Sequence, residues 1–167
     1  TVRIMATTVL LLAFVTTLGL LNMYREPDGR IDASRWLIEH VPAQTAVLHD
    51  YSIGTNLPLG SMRPAPRLPS LADFRTNAIA VTQGAQTLAR ADYLVTSAER
   101  DDVDVWRLAD HDPVAACYYL ALFDGRLGFA PRAQWTPQPH LGRWNLDDRR
   151  ADLSLRIYDH PRVQVWE

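Results

Sequence analysis

The sequence contains no lysine, so all 17 of its basic residues are arginine. Without a side-chain amine there is no Schiff base, no lysine nucleophile and no Walker-type phosphate loop, because permanently protonated arginine replaces none of them. The one cysteine, Cys117, excludes an internal disulfide and a thiolate zinc site. It stands in an apolar run and reads as a small buried hydrophobe. The five histidines show no H-x₃-H spacing, so no structural metal is expected. A net charge of −2 leaves no basic field for a nucleic acid backbone, and nucleic acid is not an expected partner. No internal repeat is evident.

Charge is also missing from one long stretch. Between Arg3 and Arg25, the residues Ile4 to Tyr24 carry none, and Val9 to Val15 is almost wholly aliphatic or aromatic. About 20 residues at 1.5 Å rise cross a hydrocarbon core of about 30 Å. The hydroxyls of Thr7, Thr8, Thr16 and Thr17 can return to the helix's own carbonyls. Residues 1–24 therefore read as a transmembrane helix, with membrane lipid as a partner. A signal peptide and a buried soluble helix are the competing readings. The first is opposed by the lack of an A-x-A pattern and by the length of the apolar run, the second by length. The chain starts with Thr, and the span is expected to be the last of a longer protein. Arg3 on one side against Arg25 and Arg30 on the other leaves orientation open.

At 167 residues and 47% hydrophobic content, what remains after the span suits one domain, residues 25–167. Asp28 can cap a helix over Ile31 to His40, with Ile31, Leu37, Ile38 and Val41 on one face and Pro42 as its stop. Trp36 points away from that face, toward headgroups, another part of the protein or a loop. A strand follows over Thr45 to His49. Residues 51–70 hold Pro58, Pro64, Pro66 and Pro69 and read as an irregular loop, either a lid or contact surface or merely a loop.

Thr76 to Arg90 reads as a helix and Tyr93 to Thr96 as the next strand. Asp112, Pro113 and Gly125 bracket a helix with a stripe of Val114, Cys117, Tyr118 and Ala121; Tyr119, Leu122 and Phe123 on its other faces imply cover on more than one side. Pro131 makes Leu127 to Thr136 an edge or bulged strand. Leu153, Leu155 and Ile157 alternate with polar residues, and Val163 and Val165 resume the alternation after Asp159-His160-Pro161, the pattern of a C-terminal β-hairpin. The fold class is mixed α/β: a small mixed sheet with packed helices behind one N-terminal transmembrane helix.

No catalytic residue is assigned. Asp102-Val103-Asp104 imitates a metal-holding Asp-x-Asp, but its acidic surroundings read as a solvated turn. His111 lies between Asp110 and Asp112, and helix capping by Asp112 accounts for the acid beside it. His160 is assigned to its turn. Ser97 and Ser154 lack a nucleophile elbow. The polar cluster kept as a substrate-binding candidate is His49, Asp50 and Tyr51, at the end of a strand where α/β folds present side chains to ligands; a capped strand end is the plainer reading.

Three passages carry a resemblance: YREPDGRIDASRWLIEHVP after the span, ADYLVTS with YYLALFDGRLGF in the middle, and YDHPRVQVW at the end. They are similar to the tail of bacterial and archaeal polytopic membrane proteins related to the dolichyl-phosphate-mannose protein mannosyltransferases, membrane glycosyltransferases of the GT-C class. The likeness covers Tyr24 to Pro42 and Ala91 to the end, and not Tyr51 to Arg75. It implies a multi-pass protein of the cell membrane with this domain on the extracytoplasmic side. The activity implied is transfer of a sugar from a polyprenyl-phosphate donor. The catalytic carboxylate and any divalent metal would lie upstream, with no cofactor in this chain. Its implied partners are the transmembrane bundle and a glycan or protein acceptor. The alternative is a membrane-anchored module that binds an envelope ligand without chemistry.

Overall fold

The computed structural model describes residues 2–50, 57–58, 78–97, 109–110, 112–148, 151–152 and 155–167. The first helix, α1 (Val2–Met23), is long and apolar enough to cross a membrane. Its threonines satisfy themselves as expected: the hydroxyls of Thr7, Thr8, Thr16 and Thr17 donate to the carbonyls of Arg3, Ile4, Leu12 and Ala13 at 2.9, 3.0, 2.9 and 2.8 Å. Such back-bonding removes the polar cost of threonine in an apolar medium.

Asp28 caps α2 (Gly29–His40), its carboxylate accepting from the Arg30 amide at 2.8 Å. The strand β1 (Val47–His49), the helix α3 (Ala78–Leu88) and the strand β2 (Tyr93–Thr96) follow, and β1 and β2 pair in parallel with His49 opposite Val95. Asp112 caps α4 (Pro113–Phe123), accepting from the Ala115 amide at 3.1 Å; Pro113 fits the first turn and Gly125 follows at φ 72°. Then come β3 (Pro131–Trp135), a small hairpin of β4 (His140–Leu141) and β5 (Trp144–Asn145), and β6 (Val163–Trp166).

One mixed sheet runs in the order β1-β2-β6-β3, with β6 antiparallel to both neighbours. Pro131 opens the edge strand β3, whose register against β6 shifts between Pro131 and Ala133, so the proline sits where a missing amide is tolerated. Strand alternation sends side chains to two layers. Val47, Val95, Val163 and Val165 meet Ala33 and Leu37 of α2 and Val41 at its C-cap. Leu48, Leu94 and Trp166 meet Ala115, Tyr118, Tyr119 and Leu122 of α4 on the other face, together with Ala80 of α3. Leu37, Leu48, Leu94 and Leu122 are 0% exposed, each burial stabilising the fold by about 1.5–3 kcal/mol.

The α/β class and the mixed sheet agree with expectation, and β2 and α4 have the expected bounds. The C-terminal hairpin does not form as expected. Leu155–Asp159 is a π-helical turn, residues 153 and 154 lie outside the described residues, and β6 pairs with β2 and β3 instead. The inner place in the sheet gives β6 two ladders where a hairpin arm would have one. On α2 the buried residues are Gly29, Ala33, Ser34 and Leu37, with Val41 buried at its C-cap, while Ile31 and Ile38 are exposed. Trp36 turns to the protein, stacking on His40 at 4.8 Å and meeting Trp135 edge-on at 6.1 Å. On α4 the buried stripe is Ala115, Ala116, Tyr118, Tyr119 and Leu122. Val114 is partly exposed, and Cys117, expected to be buried, is exposed. This helix is apolar on every side, so its pattern could not choose the face; the reach of Tyr119 into the sheet edge fits the observed rotation.

Candidate functional site

The carboxyl ends of β1 and β2 lie side by side, because the strands are parallel, and polar side chains collect there. Asp50, Thr96 and Ser97 are 2%, 4% and 1% exposed there, and His49, 7% exposed, is buried toward the α2 face. The Asp50 amide donates to the Val95 carbonyl at 2.9 Å, extending the ladder one residue beyond β1 and fixing where its carboxylate points. Tyr119 comes from α4, whose start is set by the Asp112 cap, and its hydroxyl donates to Asp50 Oδ2 at 2.8 Å. Trp166 Nε1 donates to Thr96 Oγ1 at 3.2 Å, closing the floor of the cluster from β6.

Tyr118 is the unusual member. Its ring meets Tyr119 edge-on at 4.9 Å, and its buried hydroxyl has no hydrogen-bond partner among the described residues. Burial, then the nearby Asp50 charge and then Tyr119, push this phenol well above its ordinary value. It is a neutral phenol at physiological pH, able to donate and accept. A buried phenol without a partner beside a carboxylate suits a hydroxylated ligand, which can accept from the phenol and donate to the carboxylate.

Of the three candidates named from the sequence, Asp50 belongs to this cluster, His49 stands on the opposite, α2-facing side of β1 by strand alternation, and Tyr51 lies outside the described residues. His49 and Asp50 are buried rather than presented on the surface, and Asp50 is tied to α4. Tyr118 and Tyr119 were read as helix packing. Their adjacent phenols were the available signal, since buried tyrosine hydroxyls usually need a partner. Asp102, Asp104, His111 and Ser154 lie outside the described residues. Ser97 is buried at the end of β2. His160, 3% exposed, has Nε2 2.6 Å from Asp148 Oδ2, which holds the turn before β6. Among the described residues no group of three His, Cys, Asp or Glu side chains is placed to hold a metal ion.

A second polar knot joins α1 to the domain. Asp28 and Arg30 form an ion pair at the start of α2. The Tyr24 hydroxyl, at the end of α1, donates to the Asp159 carboxylate. The π-helical turn is thereby tied to the end of α1.

Comparison with family models, with curated proteins and with solved structures gives no match for this chain.

Proposed function

We propose that this chain is the accessory domain of a multi-pass membrane glycosyltransferase that takes its sugar from a polyprenyl-phosphate donor, with the domain on the extracytoplasmic side and the catalytic part upstream. One observation carries the reading. The three passages that resemble such proteins come together in space as α2, β2, α4 and β6, packed as one unit behind a helix long and apolar enough to cross a membrane. Within that unit Asp50, Tyr118 and Tyr119 supply a carboxylate and phenols at the carboxyl edge of the parallel strands, where α/β folds take ligands. The role assigned to the cluster is to hold a hydroxyl-rich acceptor, a glycan or glycosylated protein, while bond-making occurs elsewhere.

The test uses the membrane protein that carries this domain, in native membranes, with a labelled polyprenyl-phosphate sugar and candidate acceptors. Transfer is expected, with Tyr118→Phe raising the acceptor KM and leaving kcat within severalfold, as loss of a binding contact does. Retained glycan binding with no transfer from any polyprenyl donor would replace this reading by that of a membrane-anchored binding module.

A further inference from the structure

The small hairpin of β4 and β5 belongs to neither face of the main sheet. It packs on the last two turns of α1. The Asn22 side-chain amide donates to the His140 carbonyl at 3.1 Å, and the His140 amide lies 3.5 Å from where a Cβ on Gly19 would stand. Leu146 fills the space that the missing Gly19 side chain leaves. His140 Nε2 also lies 3.2 Å from Glu26 Oε1, beyond the end of α1. Gly19 and Met23 are buried, and Val15, Leu18 and Asn22 are half-buried, a stripe at helical spacing down one side of α1. The hairpin therefore lies alongside the helix, with Leu146 at the level of Gly19, about 6 Å short of Met23 at 1.5 Å per residue.

That height sets its surroundings if α1 crosses a membrane, and the inference rests on that reading of α1. A span of about 30 Å takes about 20 of the 22 residues of Val2–Met23, which puts Gly19 within about one helical turn of the hydrocarbon edge and the chain beyond it in the headgroup layer. A two-stranded hairpin has unpaired edges and cannot sit in hydrocarbon, but the headgroup layer is wet enough to satisfy them. The hairpin's own residues suit that layer. Trp144 is 67% exposed, too much for a packing residue, and the Arg143 guanidinium stands over its ring at 5.9 Å. An indole at the headgroup level and a guanidinium able to fork onto lipid phosphate are the side chains that interfaces select. Gly142, at φ 60°, makes the tight turn that brings the pair to the tip.

We propose that the β4–β5 hairpin is a membrane-interface anchor, in which Trp144 enters the headgroup and upper acyl layer and Arg143 binds lipid phosphate, fixing how the domain stands on the bilayer. The test reconstitutes the whole chain into phosphatidylcholine and phosphatidylglycerol vesicles. Tryptophan emission is quenched either by lipids brominated near the headgroup end of their chains or by aqueous acrylamide. A component quenched by the brominated lipid is expected, lost in Trp144→Phe and equally in Trp144→Tyr, which keeps an aromatic side chain there. Leu12→Trp in a Trp144→Phe background, read with lipids brominated near the methyl end of their chains, reports on α1 separately. If Leu12→Trp is quenched by lipid but the Trp144 component only by acrylamide, the span stands and the anchor does not. A Trp144 component reached by neither quencher means that protein covers the hairpin, which also overturns the proposal. If Leu12→Trp escapes the brominated lipid, the reading of α1 fails and the anchor with it.

Discussion

The Tyr119 hydroxyl and Asp50 Oδ2 meet at 2.8 Å across 69 residues of sequence, with Tyr119 1% and Asp50 2% exposed. This bond fastens α4 to the carboxyl end of β1 from the inside. Tyr119→Phe removes a donor from a buried carboxylate and is expected to lower stability by about 1–3 kcal/mol. Asp50→Asn, which keeps an acceptor, should cost less. Denaturant unfolding in detergent micelles reads both. A Tyr119→Phe change within about 0.5 kcal/mol would show that water reaches Asp50 and takes over the bond.

Tyr118→Phe should act in the opposite direction. Its buried hydroxyl has no partner among the described residues, so the phenylalanine removes a desolvated group and leaves the ring packing intact. A gain of up to about 1 kcal/mol is expected, with weaker acceptor binding. A stabilised variant that binds its acceptor as tightly as the parent would remove Tyr118 from the site.

The same phenol gives a pH dependence with a definite sign. Burial first, then Asp50 and Tyr119, hold Tyr118 protonated in the folded chain well above the ordinary tyrosine value of about 10. The folded state thus keeps a proton that the unfolded state has lost. The stability contribution is complete below about pH 10 and is lost as pH rises beyond it. Tyr118→Phe should make the alkaline limb of a stability profile shallower without abolishing it, because Tyr93 is shifted in the same direction. An unchanged limb would mean that the unfolded and folded states ionise Tyr118 alike.

Much of this architecture was legible wherever a local signal and the tertiary environment agree. Asp28 and Asp112 cap the helices they were assigned to, and Pro131 sits at the start of a bulged edge strand. The failures arise where local pattern leaves two answers open. Leu155 and Ile157 alternate like a strand, yet no free sheet edge is left beside β6, which β2 and β3 already flank. Cys117 and Ala115 are both apolar positions of an all-apolar helix, and only the packed sheet chooses between them. Of the candidate site, Asp50 lies at the strand end where the sequence placed it, but its meeting with Tyr119 is a long-range contact that no spacing encodes. The β4–β5 hairpin was invisible because two-residue strands carry almost no periodicity.

Gly19 tests the docking of that hairpin on α1. A side chain there would run into Leu146, whose flexible end can yield to a methyl but not to a larger group. Gly19→Ala should be tolerated. Gly19→Leu should lift the hairpin at a cost of about 1–3 kcal/mol, the range for overpacking. The Leu146 amide, which donates to the Pro139 carbonyl at 2.7 Å, should then exchange with solvent about tenfold faster or more. Equal exchange in the parent and Gly19→Leu would show that the hairpin does not depend on this contact.

The last prediction concerns α1 itself and uses position to separate three fates of an apolar helix. Leu12 lies at its middle and is 61% exposed. In a membrane, Leu12→Arg puts a charge at the bilayer centre and should cost about 2.5–3.5 kcal/mol of apparent insertion free energy. Leu21→Arg, near the end, should cost far less, because the long side chain can reach the headgroups. A glycosylation-reporter insertion assay on the two variants gives the contrast. A helix that never enters the bilayer would be indifferent to both substitutions. A cleaved signal sequence would release a processed product, which mass spectrometry of the N-terminus would detect. Only a membrane span gives an uncleaved chain with a strong central and weak terminal penalty, since the cost follows depth in the hydrocarbon rather than the chemistry of arginine alone.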